Sequence, residues 1–95
     1  FLRKGISMIY FIQAGNDGPI RIGYAANVDH RIRMLQRRSP VRLRLLTVID
    51  GGIEIEAYLH NRFWHLRQHG KWFKADQEIL VFIETPILPP DLLAD

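Results

Sequence analysis

The sequence predicts a small α/β domain of the α+β kind, in which helices pack on a sheet of three strands, antiparallel or mixed. The prediction depends on short β-rich apolar runs, stripes of apolar residues at helical spacing, and turn residues between them. These elements follow the order β-β-α-β-α-α. With 95 residues, 47% of them apolar, the chain has room for one core. We expect the domain over residues 8–84, a leader or fragment remnant in residues 1–7, and a Pro-rich acidic tail outside the core in residues 85–95.

Two strands joined by a turn begin the domain. Residues 7–13 form an apolar run of strong β-formers, which predicts a strand buried on both faces, and residues 20–24 alternate as its hairpin partner. Residues 14–19 between them contain Gly, Asn, Asp and Pro, which are typical of turns.

The hairpin also predicts which side chains share a face of the sheet. If its loop has an even number of residues, Tyr10 lies on the same face as Arg21 and Gly23, whereas Ile9 and Phe11 lie on the other. Gly23 interrupts a strand that is otherwise built of large residues. Such a glycine indicates a bulge or the close approach of another group, or else a harmless small residue beside a helix.

The first helix and the third strand come next. Asn27 is a suitable N-cap for a helix that runs to about residue 38, where Ser39 and Pro40 stop it. Residues 42–49 predict the third strand, because arginines alternate with leucines at its start.

Two further helices complete the order. An apolar stripe after the glycine pair at 51–52 predicts a second helix that continues to Gly70, and Asp76 caps a short third helix over residues 77–84. The stripe consists of Ile55, Leu59, Phe63 and Leu66.

Two charged residues lie beside the apolar stripes of the longer helices. On a helical wheel, Arg31 lies roughly 70° from the centre of the first stripe, and Glu56 lies roughly 70–80° from the centre of the second. A charged head at such a position can line a cleft while its stem packs against the core. A solvated helix edge is the plainer interpretation of either residue alone.

Charge is distributed unevenly along the chain. The net charge is +3, but residues 21–74 contain eleven Lys and Arg against four Asp and Glu, and five acids with no base follow from Asp76. A positive middle favours a polyanion such as nucleic acid as partner, with a solvated basic face as the alternative. The chain has no cysteine and no apolar run near the ~20 residues of a membrane span, so we expect an intracellular protein that does not bind membranes.

Several short motifs occur in an order that resembles the GIY-YIG nuclease superfamily. The resemblance is to short phage and bacterial members whose second motif reads Lys/Arg-Ile-Gly, and it extends from about residue 8 to residue 83. It implies a three-stranded antiparallel sheet flanked by helices, and a cytoplasmic location in a bacterial cell or phage-infected host. The motifs are Ile9-Tyr10, Arg21-Ile22-Gly23, Arg31, Glu56, Leu59-His60 and Gly70-Lys71-Trp72-Phe73.

The resemblance also implies hydrolysis of DNA phosphodiester bonds with one divalent metal ion, Mg²⁺ or Mn²⁺. Glu56 is then the metal ligand, Tyr10 activates or orients the attacking water, and Arg31 contacts the scissile phosphate. Elementary chemistry is consistent with these roles, because carboxylate oxygen is a suitable Mg²⁺ ligand and a guanidinium binds phosphate in a bidentate fork. Arg21 is a third catalytic candidate, since a cation near the Tyr10 phenol favours the phenolate.

Other basic and aromatic residues are candidates for contacts with DNA. An aromatic residue either stacks on a base or completes a small core, and we favour the core for Trp72 and Phe73. The candidates for phosphate contacts are Arg33, Arg37, Arg38, Arg42, Arg44 and His60.

The main hypothesis is a metal-dependent DNA endonuclease module. Arg21 stands where the second motif usually has a tyrosine, and arginine does not act as a general base because it stays protonated. The alternative is therefore a catalytically weakened or inactive nucleic-acid-binding module on the same fold. A protein-interaction domain with an incidental basic face is a third class.

Overall fold

The computed structural model describes residues 7–93, so residues 1–6, which hold most of the expected leader, lie outside the described residues. The first half contains two strands, a helix and a third strand: β1 (Met8–Ala14), β2 (Ile20–Ala25), α1 (Val28–Arg37) and β3 (Leu43–Asp50). The second half contains α2 (Ile53–Arg62), a 3-10 turn (Trp64–Leu66), β4 (Arg67–His69), β5 (Trp72–Phe73), α3 (Gln77–Glu84) and α4 (Pro90–Leu93). No helix within residues 7–93 has the length and apolar character of a membrane span.

The fold is α+β, but its antiparallel sheet has five strands in the order β3-β1-β2-β5-β4. The expected three strands and the order β-β-α-β-α-α are therefore wrong. The second helix ends at Arg62, eight residues before the predicted end, and the two short strands follow it. Leu66 still packs against the core from the 3-10 turn, which is why the apolar spacing persists beyond the helix. Gly70 has a φ of +53° and lies in the turn between β4 and β5.

The register of the first hairpin confirms the predicted faces. Tyr10 pairs with Gly23 and Ile12 pairs with Arg21, so these four side-chain positions share what we call the Tyr10 face. Ile9, Phe11, Ile20 and Ile22 lie on the opposite Ile9 face.

Helices cover both faces of the sheet. α1 packs on the Tyr10 face, whereas α2 and α3 pack on the Ile9 face, where the larger part of the core lies. Asn27 and Asp76 cap α1 and α3 as predicted, since their side chains accept hydrogen bonds from the backbone N–H groups of His30 and Glu78 at 3.0 and 3.1 Å. Both helices are thereby fixed at their first turns.

The segment after α3 differs from the expected tail. Leu88 is buried and belongs to the core on the Ile9 face, so residues 85–95 do not lie wholly outside the core. The prolines at positions 86, 89 and 90 explain why α3 does not continue into this segment. They do not prevent Leu88, which lies between them, from packing against the core.

Candidate functional site

The Tyr10 phenol, Arg21 and Gly23 form one contact on the Tyr10 face. Arg21 Nε donates to the Tyr10 hydroxyl oxygen at 3.1 Å, and the Tyr10 side chain is fully buried. An alanine Cβ at position 23 would lie 2.4 Å from Tyr10 Oη and 2.6 Å from Cζ. A glycine is therefore needed for the phenol to cross β2, which confirms the close approach expected at Gly23.

Trp72 holds Arg21 from its other side. These residues are neighbours on β5 and β2, and the guanidinium carbon of Arg21 lies 5.8 Å from the centroid of the indole. That distance allows a cation–π interaction. The Arg21 guanidinium is thus positioned between a phenol and an indole.

Glu56 is buried on the Ile9 face rather than solvated at a helix edge. It is only 9% exposed, and its Oε2 accepts a hydrogen bond from Lys71 Nζ at 2.8 Å. The same ammonium lies 5.6 Å from the centroid of the Tyr24 ring. Sequence reasoning gave Lys71 no role of its own; its only signal was its place in the motif with Gly70.

The outer edge of β2 lies between these two groups. The N–H of Ile22 donates to the Lys71 carbonyl at 3.0 Å, and His60 Nε2 lies 2.8 Å from the Ile22 carbonyl. Because a carbonyl only accepts, this nitrogen of His60 carries the proton. The ring also packs edge-on against Phe73, with 4.9 Å between centroids. His60, expected to contact nucleic acid, therefore closes the edge of the sheet.

Glu56 is one helical turn before His60, so both project from the same side of α2 toward β2. Tyr10 Oη reaches the same stretch of β2, at Gly23, from the opposite face. The structure consequently places the predicted carboxylate and phenol around residues 22–24 of one strand, but on different faces of the sheet.

Arg31 is separate from both groups. It is half-buried on α1, on the Tyr10 side of the sheet, and lines a cavity of about 350 Å³ with Met34 and Arg38 among others. No hydrogen bond or ion pair of its side chain is present within residues 7–93. The predicted catalytic residues are Tyr10, Arg21 and Arg31. The structure brings Tyr10 and Arg21 together, whereas the guanidinium of Arg31 lies apart from them.

Four of the five arginines predicted to contact phosphates lie on α1 and in the loop that follows it. These four, Arg33, Arg37, Arg38 and Arg42, are exposed. Arg44 differs, because its guanidinium donates to Gln13 Oε1 at 3.0 Å and to the Gly15 carbonyl at 3.3 Å. These four arginines form an exposed basic surface on the C-terminal half of α1 and its loop.

Glu56 is the residue that the sequence predicts as a ligand of a divalent metal ion. Within residues 7–93, no group of three or more His, Cys, Asp or Glu could hold a metal ion. Zinc sites in proteins usually use three or four such ligands, whereas Mg²⁺ keeps several waters and often takes one or two carboxylates with a substrate phosphate. A single carboxylate such as Glu56 would suit the second kind of site, and Lys71 pairs with one of its oxygens.

Comparison with known proteins assigns the chain to a family. The model of the T5orf172 domain matches residues 7–83, which is most of the chain. The matching family is not the GIY-YIG superfamily, so the assignment expected from the short motifs is wrong. No curated protein and no solved structure matches the chain. On the strength of the match over residues 7–83, the chain belongs to the T5orf172 domain family.

Proposed function

We propose that this domain is a metal-dependent endonuclease module that hydrolyses phosphodiester bonds in DNA. The observation that carries the proposal is the contact of the Tyr10 phenol with Arg21 beside Gly23, at the strand edge that Glu56 flanks from the other face. The T5orf172 domain is a nuclease-like or DNA-binding family, and the exposed arginines of α1 provide positive charge for a phosphate backbone.

Tyr10 is the candidate general base. In hydrolysis the water oxygen forms a bond to phosphorus while the bond to the leaving sugar oxygen breaks. The water proton must be accepted by another group, and the leaving oxygen takes a proton from solvent. The Tyr10 oxygen would accept it as phenolate. The N–H that Arg21 donates at 3.1 Å would hold that oxygen in position.

Arg31 and Glu56 supply the other two functions. The guanidinium of Arg31, open on α1, would bind the phosphate oxygens and remain charged as negative charge accumulates on them. Glu56 would hold Mg²⁺ or Mn²⁺, which would supply further positive charge to the phosphate when bound.

Cations cover both the phenol and the carboxylate in the free domain. Tyr10 is fully buried behind Arg21, and Lys71 neutralises Glu56. A DNA phosphate is a competing anion for both Arg21 and Lys71, because each can bind phosphate at least as well as it binds a phenol or a single carboxylate. The proposal therefore requires these two side chains to move to DNA when the substrate binds.

The same contacts favour a second candidate, a catalytically weakened or inactive DNA-binding module. If Arg21 and Lys71 keep their partners in the complex, Tyr10 does not reach water and Glu56 remains neutralised by the ammonium. The exposed arginines of α1 would still bind the DNA backbone.

A nicking assay separates these two functions. Supercoiled plasmid is incubated with the wild type in Mg²⁺ or Mn²⁺, and with Tyr10→Phe and Glu56→Gln. We expect nicking by the wild type and a loss of about 10²-fold or more in each variant, with DNA affinity retained. Glu54→Gln is the matched control, because Glu54 lies in the first turn of the same helix and is exposed. Binding without nicking in both metals supports the inactive module, and nicking that persists in both variants refutes the assigned roles.

A further inference from the structure

A cavity of about 380 Å³ lies on the Tyr10 face, beside Trp72. It is formed by the end of α1, the loop before β3 and strand β5. Its volume is in the lower part of the range of small-molecule sites, ~300–1,000 Å³. Apolar side chains and three polar ones surround it, among them Leu35, Val41, Trp72, Arg38, Ser39 and His69.

The chemistry of these walls suits a flat aromatic group with polar edges. The indole of Trp72 offers a stacking surface, and Leu35 and Val41 offer apolar contacts. Arg38 and His69 are both exposed at the rim, where they can donate hydrogen bonds to ring nitrogens or carbonyl oxygens. A nucleobase has this combination of a π-face and a polar edge.

Trp72 also connects the cavity to the candidate catalytic site. The same indole lies 5.8 Å from the guanidinium carbon of Arg21, which donates to the Tyr10 phenol. A nucleotide carries its base and its phosphate on one sugar, so a base against Trp72 would bring its own phosphate to the arginines around it. The exposed Arg37 and Arg42 flank the cavity-lining segment 38–41 and add positive charge for the neighbouring phosphates.

We infer that this cavity binds an unpaired nucleobase, and that the substrate class is DNA with single-stranded or unpaired nucleotides. In a duplex the faces of the bases are stacked on one another, so a base reaches a pocket only if it is unpaired or flipped out. The inference deepens the proposed function and rests on it. The inference goes beyond the proposed function because it predicts which DNA structure the domain prefers.

The first test uses Trp72 as the reporter. The chain contains two tryptophans, so Trp64→Phe leaves Trp72 as the only one. This protein is titrated with a thymidine dodecamer and with an abasic dodecamer that has the same phosphates and no bases. Indole fluorescence and the anisotropy of labelled oligomers are measured. We expect the thymidine oligomer to quench Trp72 and to bind about tenfold more tightly; the abasic oligomer should bind without quenching.

The outcomes separate the inference from the proposed function. Equal affinity and equal quenching with the two oligomers would overturn the base-binding cavity and leave the nuclease proposal intact. Binding of neither oligomer, nor of duplex DNA, would overturn both. A base preference in a protein that fails the nicking assay would support the cavity and favour the inactive module.

A second variant tests the cavity without removing the indole, which contributes to the core. Val41 lines the cavity and is 45% exposed, so Val41→Phe narrows it with little strain on the fold. Val48→Phe is the matched control, because Val48 is 37% exposed on β3 and is not among the residues that line this cavity. We expect Val41→Phe to reduce the preference for the thymidine oligomer to less than about twofold and to leave abasic binding unchanged. An unchanged preference in Val41→Phe would contradict the inference.

Discussion

The substitution Gly23→Ala tests the architecture of the site most directly. The new Cβ would lie 2.4, 2.6 and 3.0 Å from Oη, Cζ and Cε2 of Tyr10. The phenol cannot simply rotate away, because its ring is fully buried and packs against α1 and its own face of the sheet. Either β2 or the ring must shift, and a shift of the ring weakens the 3.1 Å hydrogen bond from Arg21.

Two opposing effects determine the expected loss of stability. Forcing a methyl group into a packed core destabilises by about 1–3 kcal/mol. Replacing a strand glycine by alanine contributes about 0.5–1 kcal/mol in the other direction, because the unfolded chain loses freedom. We expect a net loss of about 1–2 kcal/mol, which in a domain of this size lowers Tm by about 5–15 °C.

A double-mutant cycle with Tyr10→Leu isolates the clash. The leucine side chain is too short to cross β2, so Gly23→Ala should then be neutral, or stabilising by up to about 1 kcal/mol. The free energies of unfolding, measured in urea for the four proteins, should give a coupling of about 2 kcal/mol.

The result that would refute this reasoning is equal destabilisation by Gly23→Ala in the tyrosine and the leucine backgrounds. A coupling near zero would mean that the ring does not occupy the space above Gly23. The contact of the phenol with Arg21, on which the proposed function depends, would then have no support.

Three further predictions concern the charges and one cap. Lys71→Met should lower the free energy of unfolding, measured in urea, by about 1 kcal/mol. This is less than the ~3–5 kcal/mol of a fully buried ion pair, because Lys71 is 35% exposed. A similar loss in a Glu56→Gln background would contradict the pairing. Asp76→Ala should lower the free energy of unfolding by about 1 kcal/mol and Tm by about 4–8 °C in a circular-dichroism melt; an unchanged melt would show that the cap contributes nothing. Arg33→Ala should reduce the slope of log affinity for duplex DNA against log salt concentration by about 0.9. Arg44→Ala should leave the slope unchanged, because the Arg44 side chain is already hydrogen-bonded to the β1–β2 hairpin. Equal slopes for the two variants would count against the α1 surface.

The parts of the fold that short-range signals determine could be predicted from the sequence. The register of the first hairpin follows from its turn, and the starts of α1 and α3 follow from Asn27 and Asp76. The end of α3 at Glu84 agrees with the prolines and the threonine that follow. In each case the residues that decide the structure are close together in the chain.

The parts of the fold that long-range pairing determines could not be predicted from the sequence. β4 and β5 have only three and two residues, and β5 pairs with β2 about fifty positions earlier, at Ile20 with Phe73. Segments this short have no visible period of two, and the helical spacing of Leu66 assigned them to the second helix instead. Leu88 likewise belongs to a core cluster most of whose members, such as Ile9 and Leu59, are distant in sequence.

The candidate site shows the same division, and β5 is the reason. Tyr10, Arg21 and Gly23 could be placed on one face by register alone. Lys71 and Trp72 could not, because both depend on where β5 joins the sheet. Being consecutive, they reach opposite sides: Trp72 lies beside Arg21 on the Tyr10 face, and Lys71 reaches Glu56 and Tyr24 on the Ile9 face. The residue that contacts Arg21 beside the phenol and the residue that pairs with the carboxylate therefore come from one two-residue strand and the residue before it. A change that weakens the pairing of β5 with β2 should consequently disturb the surroundings of both the Tyr10 phenol and the Glu56 carboxylate. This holds although the two groups lie on opposite faces of the sheet.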